Sequence, residues 1–192
     1  MKNLYMRFLL VFLLFLVFLY SLLLCIFYFK QNWYTPITEK PIPSVFGAHD
    51  AQIIRVKTLD DIELEGWFFP PSVPDKQIIV FFHGNGQHIG SSYSGIAPLR
   101  SYGYGLLMVE YRGYTGHDGV FSEDGLYIDS RAFMDWVTSQ YPDTGLILFG
   151  GSMGTTAALK MATEHDEEAV IVMGSFSSVA DVIQGMYPII PV

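Results

Sequence analysis

The chain has 192 residues, 51% hydrophobic and 16% aromatic, with 19 acidic against 11 basic residues and a formal net charge of −8. All the acidic residues lie beyond position 30, together with 8 of the basic ones. That part lacks the basic footprint a nucleic-acid binder needs, and its charge is that of a solvated surface. The single cysteine, Cys25, excludes an internal disulfide.

From Phe8 to Phe29 run 22 residues without a charge. As a helix they reach about 33 Å, enough to cross a hydrocarbon core of about 30 Å. A cleavable signal peptide has a shorter apolar stretch and a small-residue cleavage site. The end of this one, Cys25-Ile26-Phe27-Tyr28-Phe29-Lys30, offers no such site. Residues 1–30 are therefore expected to be a permanent single-pass transmembrane anchor. Lys2, Arg7 and the α-amino group outnumber Lys30 and Lys40 by one charge, which leans the N-terminus towards the cytoplasm.

Pro36, Pro41 and Pro43 make residues 31–50 read as an extended tether. Gln52–Thr58 and Ile62–Phe69 are expected to be short strands joined at Asp60-Asp61. Gln77–Phe82, Leu106–Val109, Leu146–Phe149 and Ala169–Met173 are continuous apolar runs, as in strands covered on both faces of a parallel sheet. Helical stretches fall between them at Ser91–Arg100, at Glu123–Ser139 and after Ser152. In the second, Leu126, Phe133 and Val137 share one face. Strand alternating with helix predicts a three-layer α/β sandwich over residues 51–192 with a mostly parallel sheet.

The most informative segment is Leu146 to Ala158, a buried strand, then Gly150-Gly151-Ser152-Met153-Gly154, then an alanine-rich helix. A nucleophilic serine at the tip of a strand-to-helix turn needs small residues two before and two after it, because the strained backbone crowds those positions. Gly150 and Gly154 meet that need. The helix start then offers partial positive charge and free N–H groups to a developing oxyanion. The alternative is a tight glycine turn with an incidental serine.

A second glycine segment, His83-Gly84-Asn85-Gly86-Gln87-His88, follows the Gln77 strand. In esterases a His-Gly loop at this place gives one backbone N–H to the oxyanion hole, and the residue after the nucleophile gives the other. This assigns Met153 and Asn85 as donors, with Gly86 close behind, and leaves His83 to pack the loop. A rival reading takes Gly84, Gly86 and Gly90 as a nucleotide-binding loop with Glu110 as its ribose-binding acid. Two strands precede the motif, its continuation is polar, and the Ser152 elbow stays unexplained, so the rival is the weaker.

With both motifs placed, the chain resembles the α/β-hydrolase family, and within it a membrane-anchored branch that includes acyl-protein thioesterase-like and monoacylglycerol lipase-like members. The matching residues are His83-Gly84-Asn85-Gly86; Tyr111-Arg112-Gly113-Tyr114 with Gly116, Gly119, Ser122-Glu123, Gly125-Leu126 and Asp129; and Gly150-Gly151-Ser152-Met153-Gly154. Thr155, Thr115, His117 and Phe121 depart from the branch. The resemblance implies a serine hydrolase acting on carboxylic ester or thioester bonds through an acyl-enzyme at Ser152. It implies a small-molecule or lipid-like ester substrate, a membrane contact through the N-terminal helix, and neither cofactor nor metal. Arg112 is expected to tie down its loop through carboxylates.

In this fold an acid and then a histidine follow the nucleophile. After Ser152 come Asp166, Asp181 and one histidine, His165, which a helix would carry about 20 Å from the elbow. The chain is therefore expected to hold the N-terminal two thirds of the domain, with the last strands and the rest of the triad missing, and to be inactive as it stands. A non-catalytic α/β binding module is the alternative.

Overall fold

The computed structural model describes residues 2–29, 37, 39–178, 181, 184–185 and 188. The chain divides into two units, Pro36–Ser177 and a second made of Met1–Thr35 with Ser178–Val192. In the second unit, helix α1 covers Lys2–Phe29. Its stretch Leu4–Ile26, 23 residues, is long and apolar enough to cross a membrane. A signal sequence meets the same test of length and composition.

The larger unit is built on one six-stranded sheet. Strands β1 (Gln52–Lys57) and β2 (Glu63–Phe69) form an antiparallel hairpin with Ile54 opposite Gly66. Its turn is held by Thr58, whose hydroxyl accepts from the Ile62 amide at 2.9 Å and donates to Asp60 at 2.7 Å. Strands β3 (Ile78–Phe82), β4 (Gly105–Val109), β5 (Leu146–Gly151) and β6 (Ala169–Met173) follow. The spatial order is β1-β2-β4-β3-β5-β6; β1–β2 and β2–β4 are antiparallel and the other pairs parallel. Every residue of β3 and β4 is buried, as continuous apolar runs require. Strand β6 pairs with β5 alone among the described strands, and Ile171, Val172 and Met173 are exposed.

Three helices cover the sheet: α2 (Ile89–Ile96), α3 (Glu123–Gln140) and α4 (Gly154–Ala162). On one face Trp67, Phe69, Ile79, Phe81, Leu106 and Met108 pack against Ile89, Tyr93 and Ile96 of α2. The opposite face turns Phe68 edge-on to Trp136 of α3, and α4 lies along β5 and β3. The result is the expected three layers. Ser122 caps α3 by accepting from the Gly125 amide, and Glu123 and Asp124 meet the positive helix end. The helix expected over Ser91–Arg100 starts earlier and stops at Ile96. Pro98 cannot donate in an α-ladder, so Ala97–Tyr102 continues as a 3₁₀ helix.

From β3 the chain steps outward to β4 and then returns across β3 to β5. The loops after β3 and β5 therefore leave neighbouring parallel strands at the same end, in the crevice where open α/β sheets place their sites. The antiparallel β2 brings the β1–β2 turn to that end as well.

The stretch read as an extended tether is, in its described part, packed on the domain. The Ile37 carbonyl accepts from the Thr115 amide at 2.6 Å, and Lys40 pairs with Glu65 at 2.6 Å. Pro43–Phe46 is a short 3₁₀ helix, and Ala48 is buried in the core. The prolines here shape a turn against α2.

Arg112, after β4, joins three elements. It donates to Asp129 of α3 from Nε and Nη2 and to Asp60 of the β1–β2 turn from Nη1 and Nη2, while its amide donates to Asp129. The tie-down expected of Arg112 is present. Burial pushes the Asp129 carboxyl up against the pull of Arg112, while the more exposed Asp60 is held well below the carboxylate range by the guanidinium. A buried guanidinium needs a charged partner, so the ionised Asp129 fits the geometry. Asp129→Ala is expected to cost about 1–3 kcal/mol in urea unfolding, because it leaves Arg112 Nε and the Arg112 amide without an acceptor while Asp60 still pairs the guanidinium. Asp60→Ala is expected to cost much less; equal losses would contradict this division.

Candidate active site

Strand β5 ends at Gly151 and α4 begins at Gly154, which leaves Ser152 and Met153 to make the turn. Ser152 stands there with φ at 50°, in the left-handed region that non-glycine residues rarely occupy. The neighbouring glycines show why the turn closes so tightly. A side-chain carbon on Gly150 would meet the Thr155 Cα at 2.6 Å, and one on Gly154 would run into the Phe82 carbonyl. The turn is also bonded from outside: the Ser152 amide donates to the Met173 carbonyl at the end of β6 at 2.7 Å. The Ser152 carbonyl accepts from the Thr155 amide at 2.9 Å and the Thr155 hydroxyl at 2.6 Å. Thr155, a departure from the branch pattern, thus helps lock the first turn of α4. The Ser152 side chain itself is exposed, while Gly151, Met153, Gly154 and Thr155 are buried around it.

The loop after β3 passes directly over this turn. A side-chain carbon on Gly84 would lie 3.2 Å from the Ser152 Cβ and 3.3 Å from the Gly151 carbonyl. Asn85 and Gly86 follow at the exposed rim. Among the described residues, the amides of Asn85 and Met153 donate no hydrogen bond. The structure thus brings the two glycine motifs together around Ser152.

A buried polar cluster shapes the loop. His83 and Glu110 are fully buried, with Nε2 2.7 Å from the carboxylate and Nδ1 2.9 Å from the Gly84 carbonyl. Glu110 also accepts from the amides of Ile89 and Tyr111. Burying a carboxylate without such donors would be costly. Tyr111, whose phenol burial pushes far up, donates to the His83 carbonyl at 3.1 Å, and Tyr114 donates to Asn85 Oδ1 at 2.9 Å. The Tyr111–Tyr114 motif is therefore a clamp on the β3 loop. Glu110 serves that clamp rather than a ribose, which removes the nucleotide-loop reading.

His88 was not a candidate in the sequence, yet it caps α2. Its Nδ1 accepts from the amides of Gly90 and Ser91, and the His88 amide donates to the Ser91 hydroxyl. Burial lowers its pKa; the charge of Glu110 opposes this and that of His83 adds to it. His165 sits beyond the far end of α4 from Ser152, where its amide donates to Met161, and Asp181 belongs to the other unit. Among the described residues no group of three His, Cys, Asp or Glu side chains could hold a metal ion.

A family model described as serine aminopeptidase, S33 (Hydrolase_4), matches residues 73–190. An uncharacterised protein of Mycobacterium tuberculosis is 30% identical over 155 residues, covering 79% of this chain and 55% of that one. Two solved structures share the fold. A Pyrococcus furiosus esterase has a TM-score of 0.65 at 18% identity, over 81% of this chain and 61% of that one. A soluble variant of the Saccharomyces cerevisiae monoglyceride lipase, bound to a substrate analogue, has a TM-score of 0.60 at 17% identity, over 81% and 51%. The chain spans about half the length of the relatives it matches.

Two outcomes follow from this geometry. Ser152→Gly is expected to raise stability by about 1 kcal/mol in urea unfolding, since only glycine takes a left-handed backbone without cost; no gain would mean the turn is unstrained. For His88, the lowered folded pKa means that the unfolded chain takes up the proton first on acidification. Its contribution is complete above pH 6.5 and declines below it. His88→Asn, which keeps a capping side chain, should therefore lose less thermal stability than the native chain between pH 7.5 and 5.5. An unchanged difference would rule out the cap.

Proposed function

We propose, from the premise that this chain belongs to the serine aminopeptidase S33 family and so to the α/β-hydrolases, that the protein hydrolyses carboxylic ester or thioester bonds through an acyl-enzyme on Ser152. The observation that carries the reading is the exposed Ser152 side chain on a left-handed backbone, between two glycines that have no room for a Cβ. A strained backbone at a non-glycine residue whose side chain is left exposed points to a working hydroxyl.

In the proposed reaction Ser152 Oγ attacks the acyl carbonyl and gives up its proton to a general base. The resulting oxyanion is received by the amides of Met153 and Asn85, with Gly86 adjacent. Collapse expels the alcohol or thiol, which takes the proton back from the base, and water then releases the acid by the same steps. In the order this elbow uses, the base is a histidine that follows an acid after the nucleophile, a role His165 cannot fill from the far end of α4. The substrate is a small-molecule or lipid-like ester, in line with the esterase and the monoglyceride lipase that share the fold. Helix α1 is assigned as the uncleaved membrane anchor on its length, its composition and the missing cleavage site.

A non-catalytic binding module has the same fold, and chemistry separates the two. In the intact protein a fluorophosphonate probe is expected to label Ser152, and Ser152→Ala is expected to lower kcat on the order of 10⁶-fold while the fold persists. Asn85→Ala should cost far less, since its backbone N–H is the donor; an equal loss would refute that assignment. Absent labelling would leave the binding module. Faster turnover of amino-acid p-nitroanilides than of p-nitrophenyl esters would shift the reading to peptide bonds. N-terminal sequencing of the membrane fraction should find α1 still attached, and a mature start near residue 26 or 31 would overturn the anchor.

A further inference from the structure

We propose that the end of the domain bearing Ser152 docks on a zwitterionic bilayer surface, with Leu59 and Val120 entering the interface. The proposal rests on the reading of α1 as a membrane anchor and does not require that Ser152 be reactive.

Three observations on the domain carry it. The first is where the chain enters. Ile37 is bonded to Thr115, in the loop after Tyr114, and Lys40 is paired with Glu65 near the start of β2. Pro41 and Phe46 then fill the space beside Gly90, in the first turn of α2. All of these lie at the end of the sheet where β3, β4 and β5 terminate and Ser152 stands. Ten residues, 27–36, separate the apolar span from Ile37, a reach of at most about 40 Å when fully extended. A domain tethered through this end keeps that end within this reach of the bilayer.

The second is the kind of side chain presented there. Leu59 is 94% exposed in the β1–β2 turn, and Val120 is 75% exposed in the loop that follows Tyr114. The two loops are fixed to each other by the Arg112–Asp60 pair, and the Ile62 side chain lies beside Gly119. Val45 at 72% and Ile42 at 60% project from the incoming segment. Single exposed apolar residues are ordinary on a protein surface. Here two of the most exposed ones, Leu59 and Val120, sit on linked loops of one end, on supports held by hydrogen bonds and an ion pair. A flexible loop would have to be ordered on contact, whereas these tips are already fixed.

The third is charge. On this end Lys57 pairs with Asp61 and Lys40 with Glu65, while Asp118 is exposed, so there is no unpaired basic patch among these residues. Capture by anionic lipid needs a basic patch, so the surface suits a zwitterionic headgroup region and apolar insertion rather than electrostatic capture. An ester held in the leaflet would then reach Ser152 from the side on which the domain rests.

The test uses the full chain in phosphatidylcholine vesicles, in a Cys25→Ser background. Leu59→Cys, Val120→Cys and, on the opposite end, Tyr102→Cys are each labelled with an environment-sensitive fluorophore and exposed to spin-labelled phosphatidylcholine. Tyr102 is also highly exposed, so it controls for exposure alone. Quenching at positions 59 and 120 about twofold or more stronger than at 102 is expected for shallow insertion. Equal quenching at all three sites in carbonate-resistant protein overturns the docking surface while the anchor stands. Chain extracted by carbonate overturns the anchor and the docking surface together. A blue shift at 59 and 120 that grows with protein-to-lipid ratio, without lipid quenching, assigns the surface to a second copy of the chain and likewise overturns the proposal. Fluorophosphonate labelling of the same samples reads the Ser152 assignment independently.

Discussion

The left-handed backbone at Ser152 is the constraint to which the rest of the domain answers. A buried parallel strand must become a helix within two residues, and no ordinary backbone does so. The turn closes because Gly150 and Gly154 carry no side chains where Thr155 and the Phe82 carbonyl press in. It stays closed because β6, through Met173, and α4, through Thr155, bond its peptide groups from both sides. Strain of this kind persists only where surrounding structure over-determines it. The sheet order, which sets β3 against β5, supplies that structure.

The same logic extends outward through polar contacts rather than apolar ones. The β3 loop lies over Ser152 because His83 is anchored to Glu110, Tyr111 reaches the His83 carbonyl, and Tyr114 holds the Asn85 side chain. The Tyr111–Tyr114 loop is in turn fixed by Arg112 to α3 and to the β1–β2 turn. Each link is a buried or half-buried hydrogen bond whose loss strands its partner, and such chains hold geometry better than they add stability. In the proposed reaction the gain is positional: backbone donors stand ready beside the nucleophile and need no reorganisation when charge develops.

Much of this was legible in the sequence because it is written in local patterns. Apolar runs on both faces marked β3 to β6, the Asp60-Asp61 pair marked the hairpin, and the glycine spacing around Ser152 marked the elbow. What was not legible depends on contacts distant in sequence. Glu110 reads locally as an acid ending a strand, and only its distance to His83 shows that it anchors a loop. His88 looks like a loop residue until its imidazole is seen accepting from the amides that begin α2. Three prolines suggested an extended tether, whereas Pro41 and Phe46 pack beside Gly90, a partner some fifty residues away in the chain. The role of Asp60 follows only from Arg112, because nothing near Asp60 in sequence calls for a guanidinium.

In the proposed reaction the strained turn serves a covalent step on Ser152. Pre-steady-state hydrolysis of a p-nitrophenyl ester by the intact protein tests it most directly. A burst of p-nitrophenolate equal to the protein concentration is expected, followed by slower turnover, with the burst lost in Ser152→Ala. A linear release without a burst, unchanged by Ser152→Ala, would contradict it.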